Sequence, residues 1–140
     1  MINFDTRPTE TLPITLINTI EHVRRNHDSR TLMAMMEKVT GKEAVVWGDS
    51  TIGFGYYEYQ YKTGRKGNWP ILSFTPSTQS ISIQVMTGYE GYQALIDKIG
   101  RVKFSGNILI LHKFSDIKLP ALEALLKKAT YDIRQNHTCG

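Results

Sequence analysis

The chain has 140 residues, 41% hydrophobic and 21% charged. That is the size and balance of one globular domain and excludes a disordered, collagen-like or coiled-coil chain. No apolar run approaches the roughly 18 residues of a membrane span. The single cysteine, Cys139, excludes an internal disulfide framework and a multi-cysteine zinc site. The net charge is +4, and its basic excess lies beyond Ser50, clustered at Lys62-Thr-Gly-Arg65-Lys66, from Lys98 to Lys103 and at Lys127-Lys128.

Met1 to Glu10 reads as a loose, polar lead-in. It has no apolar signal stretch, which places the protein in the cytoplasm. From Leu12 the pattern is helical. Leu16, Ile17, Ile20 and Val23 recur at three and four residues, and Pro13 fits the first turn, where a missing N–H costs nothing. Asn26-His27-Asp28-Ser29 interrupts, and Asp28 or Ser29 can cap a second helix with Leu32, Met35, Met36 and Val39 on its apolar face. Gly41 stands where a left-handed stop residue is wanted. The two helices predict a helical hairpin.

Beyond Gly41 the period changes. Ile52 to Lys62 reads as a strand with Tyr57, Tyr59 and Tyr61 on one face and Phe54 and Tyr56 on the other. Thr63 to Asn68 is a hairpin loop and Trp69 to Thr75 the return strand. Pro76-Ser77-Thr78-Gln79 is a turn, and Ser80 to Met86 is a third strand with Ile81, Ile83 and Val85 inward. Gly88 breaks the sheet. Tyr92, Leu95, Ile96 and Ile99 make a short helix stopped by Gly100, and Asn107 to His112 reads as a buried fourth strand. Pro120 opens a last helix with Leu122, Leu125, Leu126, Ala129 and Ile133 on its core face, and Asn136 to Gly140 should fray. The fold class is α+β: an N-terminal helical hairpin, an antiparallel meander of three strands plus a fourth, and helices on one face. One domain spans residues 1–140, with an ordered core over about 12–135.

Catalytic and metal chemistry find no local motif. His22, His27, His112 and His137 show neither His-x-x-x-His nor His-Glu-x-x-His spacing. No two acidic residues lie close enough in sequence to share a hard cation from one helix face. Gly48-Asp-Ser50 lacks a nucleophile elbow, and Gly64-Arg-Lys-Gly67 lacks the end of a P-loop. What remains is aromatic: Trp47, Phe54, Tyr56, Tyr57, Tyr59, Tyr61, Trp69 and Phe74 crowd into one stretch. Antiparallel pairing brings some of these rings together, where they either pack under the helices or stack on a planar ligand.

The blocks Val39-Thr40-Gly41-Lys42-Glu43, Trp47-Gly48-Asp49-Ser50, Gly53-Phe54-Gly55-Tyr56-Tyr57-Glu58-Tyr59, Thr63-Gly64-Arg65 and Asn68-Trp69 resemble the YdhG-like family, a bacterial domain of unknown function. Gly100, Lys103, Gly106 and Leu119 to Ala129 fit the same pattern, so the resemblance runs from about Leu12 to Ile133. It implies helices packed on an antiparallel sheet, and it brings no established catalytic residues. Some members are described as frataxin-like intracellular iron chaperones, a role that the basic balance and the spread of the acids argue against. Two places depart from the family. Pro76-Ser77-Thr78 stands where relatives often carry Pro-Arg-Lys, and Ile108-Leu109-Ile110 where they often carry Cys-Leu-Tyr.

The reading is a non-enzymatic module that binds a small ligand or a protein partner. It uses Trp47, Tyr57, Tyr59 and Trp69 for stacking and Lys62 and Arg65 for charge, on a sheet face left open by the helices. No cofactor, metal or catalytic residue is assigned, and no membrane is involved. The alternatives are an iron chaperone, by resemblance, and a single-stranded nucleic-acid binder.

Overall fold

A computed structural model describes residues 7–60, 62–77 and 79–140. Expectations resting on Met1–Thr6, Tyr61 or Thr78 lie outside the described residues. Helix α1 (Pro13–Asn18) has proline in its first turn, as the sequence predicts, but it is short and buries only Ile17. Helix α2 (Val23–Thr40) then starts at an N-cap supplied by His22, whose Nδ1 accepts the Arg25 N–H. Val23 is not part of a first helix's apolar face; it is 83% exposed.

The run Asn26-His27-Asp28-Ser29 does not break the chain but lies inside α2. The Asn26 and Asp28 side chains serve contacts beyond their own helix instead of local turns. The Asn26 amide donates to the carbonyls of Ile17 and Ile20 and so caps the end of α1. Asp28 is buried and accepts the N–H of Phe114, the first residue of a 3-10 turn over Phe114–Asp116. Arg25, also buried, donates to the His112 carbonyl. Gly41 ends α2 at φ 69°, and its N–H returns to the Glu37 carbonyl.

Ser29 is fully buried in α2, and its hydroxyl meets no hydrogen-bond partner among the described residues. A buried orphan hydroxyl costs about 1–3 kcal/mol, and alanine is the better helix former. Ser29→Ala is therefore expected to raise stability by about 1 kcal/mol, roughly 4 °C in the thermal midpoint. Calorimetry checks this, and a lowered midpoint would mean that the hydroxyl has a structural partner.

Eight strands follow rather than four: β1 (Ala44–Trp47), β2 (Thr51–Phe54), β3 (Tyr57–Gln60), β4 (Lys66–Trp69), β5 (Leu72–Pro76), β6 (Ile81–Gln84), β7 (Lys103–Ser105) and β8 (Ile108–Leu111). Helix α3 (Gln93–Ile96) precedes β7, and α4 (Leu119–Asn136) ends the chain's helical part. Six strands form one antiparallel sheet in the order β1-β2-β5-β6-β8-β7, while β3 and β4 pair as a separate ribbon. The two long strands expected on either side of the hairpin each split, at Gly55-Tyr56 and at Pro70-Ile71. Alternation is lost at the same level on both, so Phe54 and Tyr57, three apart, join the same core.

The registers Ile52↔Phe74, Phe74↔Ile83 and Ile83↔Leu109 line up one apolar face. Helix α2 packs on β2 and β5, and α4 packs against α2 and α3. Leu122, Leu125, Leu126, Ala129 and Ile133 of α4 are all buried, as their spacing predicts. The opposite face is polar. Thr51 and Thr75 share a hydrogen bond of 2.8 Å, Gln84 Nε2 donates to Thr75 at 3.1 Å, and Ser73 donates to Gln84 Oε1 at 3.1 Å. Strand β8 is only half-buried, because Ile110 falls on this second face and is 36% exposed.

Both ends of the described chain are tied to strand edges. Residues 7–9 pair with β1 through Thr9 N–H to the Val46 carbonyl and Gly48 N–H to the Arg7 carbonyl. The tail does not fray. Thr138 to Gly140 runs antiparallel along the free edge of the ribbon, bridging Tyr57 through Cys139. The Tyr56 and Glu58 N–H groups donate to the Gly140 and Thr138 carbonyls, and the Gly140 N–H donates to the Tyr56 carbonyl.

Candidate functional site

In the β3–β4 ribbon Tyr57 pairs with Trp69 and Tyr59 with Gly67, which puts Tyr57, Tyr59 and Trp69 on one face. Tyr59 and Trp69 stack, with ring centroids 4.5 Å apart and planes 14° from parallel. Tyr57 meets Trp69 edge-on at 6.2 Å and lies 4.8 Å from the His137 ring. Tyr59 and Trp69 are half-buried at the margin of the core. Lys62 and Arg65 are exposed in the turn that joins the two strands, and Lys66 is exposed at the start of β4.

The six residues picked out by sequence therefore divide into three groups. Tyr59, Trp69, Lys62 and Arg65 share the hairpin. Tyr57 lies beneath them with 0% of its surface exposed, a core residue and not a contact surface. Trp47 belongs to the far edge of the six-stranded sheet and is only 4% exposed. Its indole covers Gly53 so closely that a β-carbon there would fall 2.7 Å from Trp47 Cδ1 and 2.9 Å from Pro70 Cβ. The tyrosine-rich face expected to stand open on the sheet is thus distributed otherwise. Phe54, Tyr57 and Phe74 turn into the core, while the face away from the helices carries threonine, serine and glutamine with the Trp47 indole lying over Gly53.

Sequence reasoning missed two features. One is the tail: His137 and Cys139 pack at Tyr57, and burial raises the Cys139 thiol. The other is a groove of about 430 Å³ lined by Pro8, Lys42, Val45, Trp47 and Tyr56. The only advance signal for the groove was the apolar run Ala44-Val-Val-Trp47.

The ionisable groups form structural pairs. Asp132 accepts from Tyr92 at 2.6 Å and from Lys128 at 3.0 Å, and these two contacts hold its carboxyl below the usual range. Burial, with Asp132 beside it, raises the Tyr92 hydroxyl. Glu123, bonded by Lys38 and Lys127, is also lowered. Among the described residues no group of three or more His, Cys, Asp or Glu side chains stands together to hold a metal ion. Among the described residues no helix is long and apolar enough to cross a membrane. No known family, curated protein or solved structure matches the chain.

Proposed function

We propose that the chain is a non-enzymatic binding module whose β3–β4 hairpin takes a planar, anionic small molecule. The observation that carries the reading is the parallel Tyr59–Trp69 stack, half-buried at the core margin and followed directly by the exposed cations of the turn. A stacked pair is pre-organised, so a third ring can add to it with little ordering cost. Lys62 and Arg65 supply charge for a phosphate or carboxylate at the ligand's edge. The iron-chaperone alternative has no side-chain cluster among the described residues to support it.

A thermal-shift panel of nucleoside phosphates and flavin mononucleotide tests the proposal, because a ligand that binds only the folded state raises the midpoint by mass action. Tyr59→Ala is expected to weaken the binding of any hit about tenfold or more, the worth of one lost stacking contact. Tyr59→Phe should keep the shift. If Tyr59→Ala loses cooperative unfolding, Lys62→Glu with Arg65→Glu takes its place. A panel with no hit, or a hit insensitive to both changes, would remove the reading.

A further inference from the structure

A second surface, apart from the hairpin, gathers five exposed cations. The Gly100–Ile117 bridge and a 2.7 Å bond from Lys118 N–H to the Ile99 carbonyl hold residues 97–103 alongside 113–118. Strand β7 continues the first segment and pairs with β8, which leads into the second. The result is one lobe carrying Lys98, Arg101, Lys103, Lys113 and Lys118, all exposed. Within these segments the acids are Asp97 and Asp116, Asp97 already accepts from Gln93, and the buried Asp28 beside Phe114 is taken up by the Phe114 N–H.

The contrast with the helical side of the molecule is direct. There Lys38 and Lys127 share the Glu123 carboxylate, and Lys128 pairs with Asp132. None of the five lobe side chains takes part in a hydrogen bond or ion pair with another described residue. Between Lys98 and Lys118 runs a groove of about 780 Å³, bordered by Ser115, Ile117 and Pro120. Like charges left together without counter-charges raise the folded state's energy, and a polyanion relieves that repulsion while releasing its own counterions.

We propose that this lobe binds the phosphodiester backbone of a nucleic-acid duplex without reading its sequence. A duplex presents about one charge per 1.7 Å of axis, the denser match to clustered cations. A single strand would need exposed rings to stack its bases. In the lobe Phe114 is buried and Phe104 is half-buried and engaged with the Tyr89 ring, centroids 6.1 Å apart, so the lobe presents no fully exposed ring. Contact is therefore made to phosphates alone, which position a protein but carry no sequence information.

Fluorescence anisotropy of a labelled 20-base-pair duplex, and of one of its strands, provides the test. With about four phosphates neutralised, affinity for the duplex should fall by about two orders of magnitude between 50 and 200 mM salt. Lys98→Gln with Lys118→Gln should weaken binding and reduce the slope of log affinity against log salt by about two. Lys127→Gln with Lys128→Gln removes the same charge from paired positions and should leave affinity within about twofold. Scrambling the duplex sequence should change nothing. The proposal is overturned by no binding at 50 mM salt, by equal loss in both double variants, or by a preference for the single strand. Equal affinity for polyglutamate or for anionic phospholipid vesicles would also overturn it, since the surface would then match charge alone.

Discussion

Deleting His137–Gly140 is expected to cost about 3–5 kcal/mol of stability, even though these four residues follow the last helix. Three backbone hydrogen bonds join Thr138 and Gly140 to β3, and each contributes about 1 kcal/mol net. The deletion also removes the His137 ring and Cys139 from the neighbourhood of Tyr57. Tyr57 is fully buried, and uncovering part of an aromatic ring of that size costs about another 1–2 kcal/mol. Urea unfolding measures the loss. The amides of Tyr56 and Glu58 should at the same time move from slow to fast hydrogen exchange. An unchanged urea midpoint would mean that the tail rests on the ribbon without supporting it.

Gly53→Ala should destabilise by about 2 kcal/mol, against the usual sign for such a change. Within a strand, glycine is the costlier residue for the unfolded-chain entropy it loses, so replacement by alanine ordinarily gains about 0.4–1 kcal/mol. Here the new methyl would stand 2.7 Å from Trp47 Cδ1, 2.8 Å from Trp47 Nε1 and 2.9 Å from Pro70 Cβ. None of these atoms is the free end of a flexible chain, and overpacking of a filled site costs about 1–3 kcal/mol. The indole would be lifted, and its fluorescence should shift to the red. Trp47→Leu in the same chain should relieve the clash, so that the two changes together cost less than their sum. A stabilised Gly53→Ala protein would show that the indole is not seated on the glycine.

Much of this fold is legible in the sequence wherever a residue's role is local. The spacing of Leu122, Leu125, Leu126, Ala129 and Ile133 marks α4, the alternation of Ile81, Ile83 and Val85 marks β6, and Gly41 marks the end of α2. What is not legible is set by partners far along the chain. Asp28 looks like a cap for its own helix, but its carboxylate serves Phe114, 86 residues away. Asn26 looks like a breaker because its helical neighbours do not show that it caps α1. The tail reads as loose because nothing near it reveals the open edge of β3.

The same distinction governs the two candidate surfaces. Alternation across Ile52 to Lys62 assigns the tyrosines to one face, but the paired break at Gly55-Tyr56 and Pro70-Ile71 carries Tyr57 into the core and leaves Tyr59 and Trp69 at its margin. Which rings are structural and which can meet a ligand depends on that break. The cations from Lys98 to Lys103 are visible as a cluster in the sequence. Lys113 and Lys118 join them through the Gly100–Ile117 bridge, the Lys118–Ile99 backbone bond and the β7–β8 pairing.

The aromatic stretch is divided, with Trp47 sealed against the sheet and Trp69 partly open on the hairpin beside Tyr59. Acrylamide quenching of two single-tryptophan proteins tests it most directly, one made by Trp47→Phe and the other by Trp69→Phe. The protein that retains Trp69 should be quenched several times more efficiently than the one that retains Trp47. Equal shielding of both indoles would leave the hairpin no open ring to offer a ligand and would contradict the account.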